Sequence, residues 1–246
     1  MDVLQLFVSG LANGCVYGLI ALGFVLIYKA TEAVNFAQGD FMMLGAFITL
    51  GLTNEQFWGL PFWISVPIAI AAMGVFGYLI DMIVLRRMFG QSQIAIVILT
   101  IAMGFVLRFA AGLIWGNEPV ALESPLPGQD VRLRGLVLWL GEIVVVPGTV
   151  ILTLYFFFNV TKLGVAMQAA SQNQLAAYYM GIPVKRVHSL IWAVAGMVAA
   201  VAGILFASKG SIDPSIGLLG IKAFAAAVIG GFGSLPGALL GGIIVG

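Results

Sequence analysis

Residues 4–28 read LQLFVSGLANGCVYGLIALGFVLIY, a run without one charged side chain. A helix needs about 20 predominantly apolar residues to cross the hydrocarbon core of a bilayer, and this stretch exceeds that length. It is expected to be a membrane span and not a signal peptide. Its apolar run is too long for a leader's core, no basic segment precedes it, and another apolar stretch follows at once. Barrel strands would alternate apolar and polar residues over about ten positions, whereas Leu19–Ile27 offers no polar position at all.

Comparable stretches run over Ala33–Leu52, Pro61–Leu85, Ile94–Trp115, Ile143–Val160 and Ser189–Ala207. Two shorter ones follow at Ile216–Gly231 and Leu235–Gly246. Composition agrees: of 246 residues, 61% are apolar and 9% charged, with a mean hydropathy of +1.11. A soluble domain carries roughly 25% charged residues, so a soluble enzyme is excluded, and disorder, which needs low hydrophobicity, is excluded with it. A net charge of +1 lacks the basic surplus of a nucleic-acid binder. One cysteine, Cys15, and one histidine, His188, leave no disulfide framework and no multi-histidine metal site; no metal or cofactor is expected. The fold class is all-α: a single polytopic transmembrane helical bundle over residues 1–246, with broken or re-entrant helices.

Lysine and arginine in short loops set orientation. With the N-terminus outside, the inner loops hold Lys29, Arg86, Arg87, Lys162, Lys185 and Arg186, and the outer ones Arg132, Arg134 and Lys209. The 116–142 loop, with Pro119, Pro125, Pro127 and Gly128, is expected to fold over the outer mouth, and residues 161–188 to be cytoplasmic. Within that second loop Thr161 can cap a helix, Ala166–Ala177 favours one, and Met180-Gly181-Ile182-Pro183 closes it, glycine and then proline just past a helix end being a stop signal. Such a helix either docks a partner or rests on the lipid surface.

Small residues recur at intervals of four: Gly10, Gly14, Gly18; Ala195, Ala199, Gly203, Ala207; Gly233, Gly237, Gly241. In lipid, helices associate by close backbone packing, which small residues permit. The second span differs, because Asn35-Phe36-Ala37-Gln38-Gly39-Asp40 places polar groups near its start. Irregular backbone at that depth survives where it is buried in protein or lines a water-filled cavity. A second candidate break is Gly230-Gly231-Phe232-Gly233-Ser234-Leu235-Pro236-Gly237. Paired glycine-interrupted segments in the two halves point to a solute pathway, although a bare helix hairpin also accounts for the second. Arg108, seven residues before Trp115, is either a snorkelling anchor or a pathway residue. Asp81 is expected to pair locally with Arg86, Asp213 to make an outer turn, and Lys222 to face a cavity or snorkel.

Enzyme chemistry finds no support. Ser234 is the only serine in a suggestive glycine context, and His188 sits at the cytoplasmic face in this topology. No G-x-x-x-x-G-K-[ST] loop occurs, so the chain has no phosphate cradle of that kind.

Three stretches carry a resemblance. The run Asn35–Asp40 is similar to an Asn-Phe-Ala-(His or Gln)-Gly-(Glu or Asp) signature. Gly164, Ala166, Met167, Ala169, Ala170, Asn173, Ala176, Gly181 and Ile182 are similar to a cytoplasmic ATPase-docking segment. Pro214, Gly217, Ala223-Phe224 and Gly230–Ala238 are similar to a late glycine signature. Over essentially its whole length the chain resembles the LivH-type permease subunit of branched-chain amino acid ABC transporters. It departs at Val165 and Gln168, where arginines are common in the docking segment. It also stops at Gly246 inside an apolar segment, so its C-terminus is expected to be incomplete.

The resemblance implies a permease of the bacterial or archaeal cytoplasmic (inner) membrane, paired with a second, LivM-type permease. Two ATP-binding subunits would dock from the cytoplasm, and a periplasmic or lipid-anchored solute-binding protein would deliver a branched-chain or other small amino acid. ATP hydrolysis would lie on the partner subunits. Asn35, Gln38, Gly39, Asp40 and Arg108 are the candidate pathway residues. Gly164, Met167, Ala169, Ala170, Asn173 and Gly181 form the coupling segment, and Gly230, Gly231, Gly233, Pro236 and Gly237 the late signature. Alternatives are a urea or short-amide permease, and a stand-alone channel or secondary transporter.

Overall fold

Why the helices stand where they do follows from which faces are small enough to touch. The computed structural model describes residues 2–55, 57–88, 91–122, 124, 130–133, 136–139, 179–180 and 183–246. Among them are seven α-helices: α1 (Asp2–Thr31), α2 (Gln38–Thr53), α3 (Phe62–Ile83), α4 (Gln93–Trp115), α5 (Val184–Ala207), α6 (Leu219–Gly230) and α7 (Leu235–Val245). Short 3-10 turns occupy Leu85–Met88 and Pro214–Leu218. Four helical segments are long and apolar enough to cross a membrane: Ser9–Thr31, Phe62–Met88, Gln93–Trp115 and Lys185–Ala207. The expected span Ile143–Val160 and the coupling positions Gly164 to Asn173 and Gly181 lie outside the described residues.

Helices α1, α2 and α5 make the centre, and their buried side chains, among them Leu19, Ile20, Phe24, Phe41, Phe47 and Ile191, are almost wholly withdrawn from solvent. Gly10, Gly14 and Gly18 of α1 meet Gly246, Gly242 and Leu239, so α7 runs antiparallel along α1. The other small face of α7 turns to α6, with Gly237 against the Gly230 carbonyl and Gly241 against that of Ala226. On α5, Gly203 rests on the Met42 carbonyl and Ala200 fills the space at Gly45 of α2, while Gly196 rests on the Met73 carbonyl of α3. Such contacts supply the van der Waals packing that replaces the hydrophobic effect between helices in lipid. Helices α3 and α4 flank this centre with outward faces of large apolar side chains, including Trp63, Ile68, Val75, Ile98, Phe105 and Phe109.

Two small antiparallel ladders accompany the helices. Strand β1 (Val120–Ala121) pairs with β4 (Ser211–Ile212), tying the segment after α4 to the one after α5; β2 (Asp130–Leu133) pairs with β3 (Leu136–Trp139). The bundle therefore has two distinct ends. The end of α1, the end of α3 and the starts of α4 and α5 surround a cavity of about 170 Å³, lined in part by Thr31, Asp81, Gln91, Gln93, His188 and Trp192. Lys29, Arg86, Arg87, Lys185 and Arg186 belong to these same element ends. The opposite end carries the β1–β4 ladder and the Lys209 Nζ hydrogen bond to Asn13 Oδ1 (3.4 Å).

The helix boundaries differ from expectation in an informative way. The second span was expected from Ala33, yet the helix starts at Gln38, and residues 33–37 run as extended chain and turn. The seventh apolar segment begins as the 3-10 turn Pro214–Leu218 and becomes α-helical only at Leu219. In both places polar side chains hold the backbone away from helix over the first few residues.

Candidate functional site

Thr31 closes α1 with its hydroxyl on the Ile27 carbonyl (2.9 Å), and Glu32, at φ 54°, reverses the chain. The extended residues then climb back along α1 until Gln38 reaches Gly23, where only a residue without a Cβ leaves room for the Gln38 amide. Gly23 is eight residues short of Thr31, so α2 begins about 12 Å inside the end of α1. A helix start at that depth leaves donors that no water can reach.

The polar run supplies their partners. Asn35 Oδ1 accepts from the Ala37 N–H (3.1 Å), and the Phe36 N–H donates to Thr100 Oγ1 of α4 (3.1 Å). Asn35 Nδ2 donates to Gln38 Oε1 (3.3 Å), and Gln38 Nε2 donates to the Ala195 carbonyl of α5 (3.1 Å). Asp40 stands in the first turn of α2, where a carboxylate suits the positive end of the helix dipole. Arg108 Nε donates to Asp40 Oδ1 (2.5 Å) and Nη2 to Oδ2 (3.2 Å), a bidentate pair with Asp40 1% exposed and the Arg108 side chain 24% exposed. The guanidinium also lies over the Phe105 ring at 5.5 Å.

Glycines cut the space for this pair. A Cβ on Gly104 would meet Asp40 Oδ2, one on Gly217 would meet Asp40 Oδ1, and Gly39 faces Gly217 and Gly220 backbone to backbone. The start of α2 therefore meets α1, α4, α5 and the start of α6 at one polar junction. Asn35, Gln38, Gly39, Asp40 and Arg108 are brought together there, all buried except the partly exposed Arg108. Arg108, expected as a snorkelling anchor or a pathway residue, turns inward to Asp40 and does not snorkel. Gly23, Thr100, Gly104, Ala195 and Gly220 complete the junction and escaped notice as parts of it. Their one sequence signal is small or hydroxyl character at helix–helix spacing, which many other positions share.

The late glycine signature stands elsewhere. Gly230 and Gly237 press together across the turn joining α6 to α7. Gly231 takes φ 82°, Ser234 Oγ caps α7 by accepting the Gly237 N–H (3.1 Å), and Pro236 occupies the first turn. Phe232 in this turn packs on Tyr28, ring centroids 4.7 Å apart, near the end of α1. The second break is thus a helix hairpin. The segment that meets the first break is Asp213–Gly220, where Asp213 Oδ1 accepts the Ser215 N–H (2.7 Å) and starts the chain inward.

Asp81 is also tied differently from expectation. Ser189 Oγ of α5 donates to Asp81 Oδ2 (2.6 Å), and Arg86 Nη2 reaches Ser189 Oγ (2.7 Å) and the Lys185 carbonyl (3.3 Å). The link from Asp81 to Arg86 passes through α5, because the chain leaves α3 in a 3-10 turn that swings Arg86 across. His188, 1% exposed, lines the adjoining cavity.

The family described as the permease component of the branched-chain amino acid transport system matches residues 6–246. This chain belongs to that family. It is 34% identical to the high-affinity branched-chain amino acid transport system permease protein BraD of Pseudomonas aeruginosa, over 99% of this chain and 84% of that one. It is 30% identical to LivH of Escherichia coli K12, over 99% and 83%. It is also 30% identical to a probable LivH of Methanocaldococcus jannaschii, over 93% and 74%. No solved structure matches the chain. The matched range includes the residues of the polar junction and those of the hairpin.

Proposed function

We propose that this permease forms half of the pathway by which an ABC importer takes up branched-chain or other small amino acids, driven by ATP hydrolysis on partner subunits. What carries the reading is the similarity to BraD and LivH along almost the entire chain. The partners are a LivM-type permease, two ATP-binding subunits, and a periplasmic or lipid-anchored solute-binding protein, in the cytoplasmic membrane of a bacterium or archaeon. The basic end of the bundle faces the cytoplasm, in keeping with the positive-inside rule.

Within that assembly Asn35, Gln38, Gly39, Asp40 and Arg108 brace the wall of the pathway, holding the half-depth start of α2 on α4, α5 and α6. The segment containing Gly164, Met167, Ala169, Ala170, Asn173 and Gly181 takes up the motion of the ATPases. ATP shifts the bundle only if docking favours one state over the other, so a bulky residue in place of Ala170 uncouples hydrolysis from transport.

The test is to purify the chain from its native membranes, identify what accompanies it by mass, and reconstitute the assembly into vesicles with ATP on the ATPase side. Recovery of an ATPase and a second permease, with leucine uptake dependent on ATP and binding protein, supports the proposal. Recovery of the chain alone, folded and passing solute without ATP, overturns it in favour of a stand-alone channel or transporter. Uptake of urea or acetamide in place of leucine would keep the assembly and replace the solute.

A further inference from the structure

Among the described residues helix α6 leaves one face exposed, formed by Ile221, Lys222, Ala225, Val228 and Ile229, with Leu218 just before it. All are apolar except Lys222, and its depth is fixed by its neighbours. Two residues on, Phe224 packs edge-on against Phe24 of α1 at 5.8 Å, which sets the Lys222 backbone near the middle of the Ser9–Thr31 span. The side chain extends toward the Ser9 end and stops with Nζ 6.0 Å from the centre of the Tyr17 ring. Tyr17 is eight residues inside Ser9, so its backbone lies about 12 Å of helix rise below that end, with the ring leaning toward it. Among the described residues no carboxylate pairs with it; the ion pair they contain is that of Arg108 and Asp40.

A charge at this depth faces a bundle interior, a partner group or a water-filled cavity. Above Lys222 the surface runs through half-buried Tyr17 to exposed Asn13, whose Oδ1 receives Lys209 Nζ at 3.4 Å, and so reaches the end of the bundle. A structural ion pair needs one point of contact, whereas a hydrated route needs a continuous polar track. Asn13, Tyr17 and Lys222 set three polar groups in line from the end of the bundle toward its middle, the last of them a cation.

We propose that the stripe Asn13–Tyr17–Lys222 lines the translocation pathway, and that the Lys222 ammonium receives the carboxylate of the transported amino acid midway across. This assignment rests on the reading of the chain as an amino acid permease. It places solute contact on the uncovered face of α6 and leaves the Asp40–Arg108 junction as support behind it.

The test uses the complete transporter in vesicles, with leucine as solute. Lys222→Met lowers leucine uptake at least about tenfold, the scale of a lost charge-assisted contact, whereas Lys222→Arg, which keeps the positive charge, retains more uptake than Lys222→Met. In a Cys15→Ser background, Lys222→Cys reacts with a membrane-impermeant charged thiosulfonate, and saturating leucine with binding protein slows that reaction. Undiminished uptake by Lys222→Met overturns the assignment. Reaction of Lys222→Cys only with a lipid-soluble maleimide overturns it by placing the residue against lipid. Loss of the assembled complex in Lys222→Met, with recovery in Lys222→Arg, overturns it by making the lysine a partner to another subunit's carboxylate. A parent complex that carries no leucine sinks the amino acid reading itself, a result distinct from all three.

Discussion

Two cations stand near mid-depth in this bundle, and they are handled in opposite ways. Arg108 finds its counter-charge within the chain, in a bidentate pair with Asp40 that glycines on α4 and the α6 entry make room for. Lys222 leans on a tyrosine face and is otherwise left to the surroundings. The first arrangement closes a junction, because removal of either partner strands a buried charge. The second keeps a charge available at a surface. An intramembrane charge therefore carries no single meaning, and its role is set by whether the fold itself supplies the counter-ion.

The largest effect is expected from breaking the closed pair. Arg108→Met leaves Asp40 buried without its partner and costs about 3–5 kcal/mol, read as a fall in the thermal midpoint of the purified complex. Asp40→Asn combined with Arg108→Gln recovers much of that loss, since no unpaired charge remains; a double variant as unstable as the single one would refute a paired junction. Next in size is Gly39→Val, which forces the starts of α2 and α6 apart and costs about 1–3 kcal/mol by overpacking. A stability unchanged by that substitution would mean the two backbones do not touch. Gln38→Met removes one interhelical hydrogen bond to Ala195, worth about 0.6 kcal/mol on average and at most about 1.7 in a membrane, and is best read in a cycle with a change at Asn35.

The smallest effect concerns Lys209, beyond the end of α5. Burial draws its ammonium down to about 8, with Cys15 pulling slightly the other way. The folded chain therefore sheds this proton first, while an unfolded lysine keeps it to about 10.4. Between these values the unfolded state binds more protons, so this group's contribution favours folding increasingly as pH rises. Acylation of Lys209 followed against pH should show a midpoint near 8; a midpoint at the ordinary lysine value would show that the residue is fully hydrated.

Much of this was legible before any coordinates. Uninterrupted apolar runs marked α1, α3, α4 and α5 to within a few residues, because length and hydropathy alone decide which segments can cross a bilayer. The polar run Asn35–Asp40 stood out because such groups need partners at depth. The partners did not, since Arg108 lies 68 residues from Asp40 and Ala195 lies 157 from Gln38, and no local pattern reports a contact made across four helices. Nor does any local pattern show that the first break meets Asp213–Gly220.

Composition and pattern alone establish that this chain lives in a membrane as helices, that a few small-residue faces pack closely, and that a polar run interrupts the apolar sequence at the start of α2. Only the tertiary structure decided which charges are satisfied from within and which are left facing outward. Hydropathy is a sum over neighbours in the chain, whereas the fate of a buried charge depends on the one group that folding brings within hydrogen-bond reach.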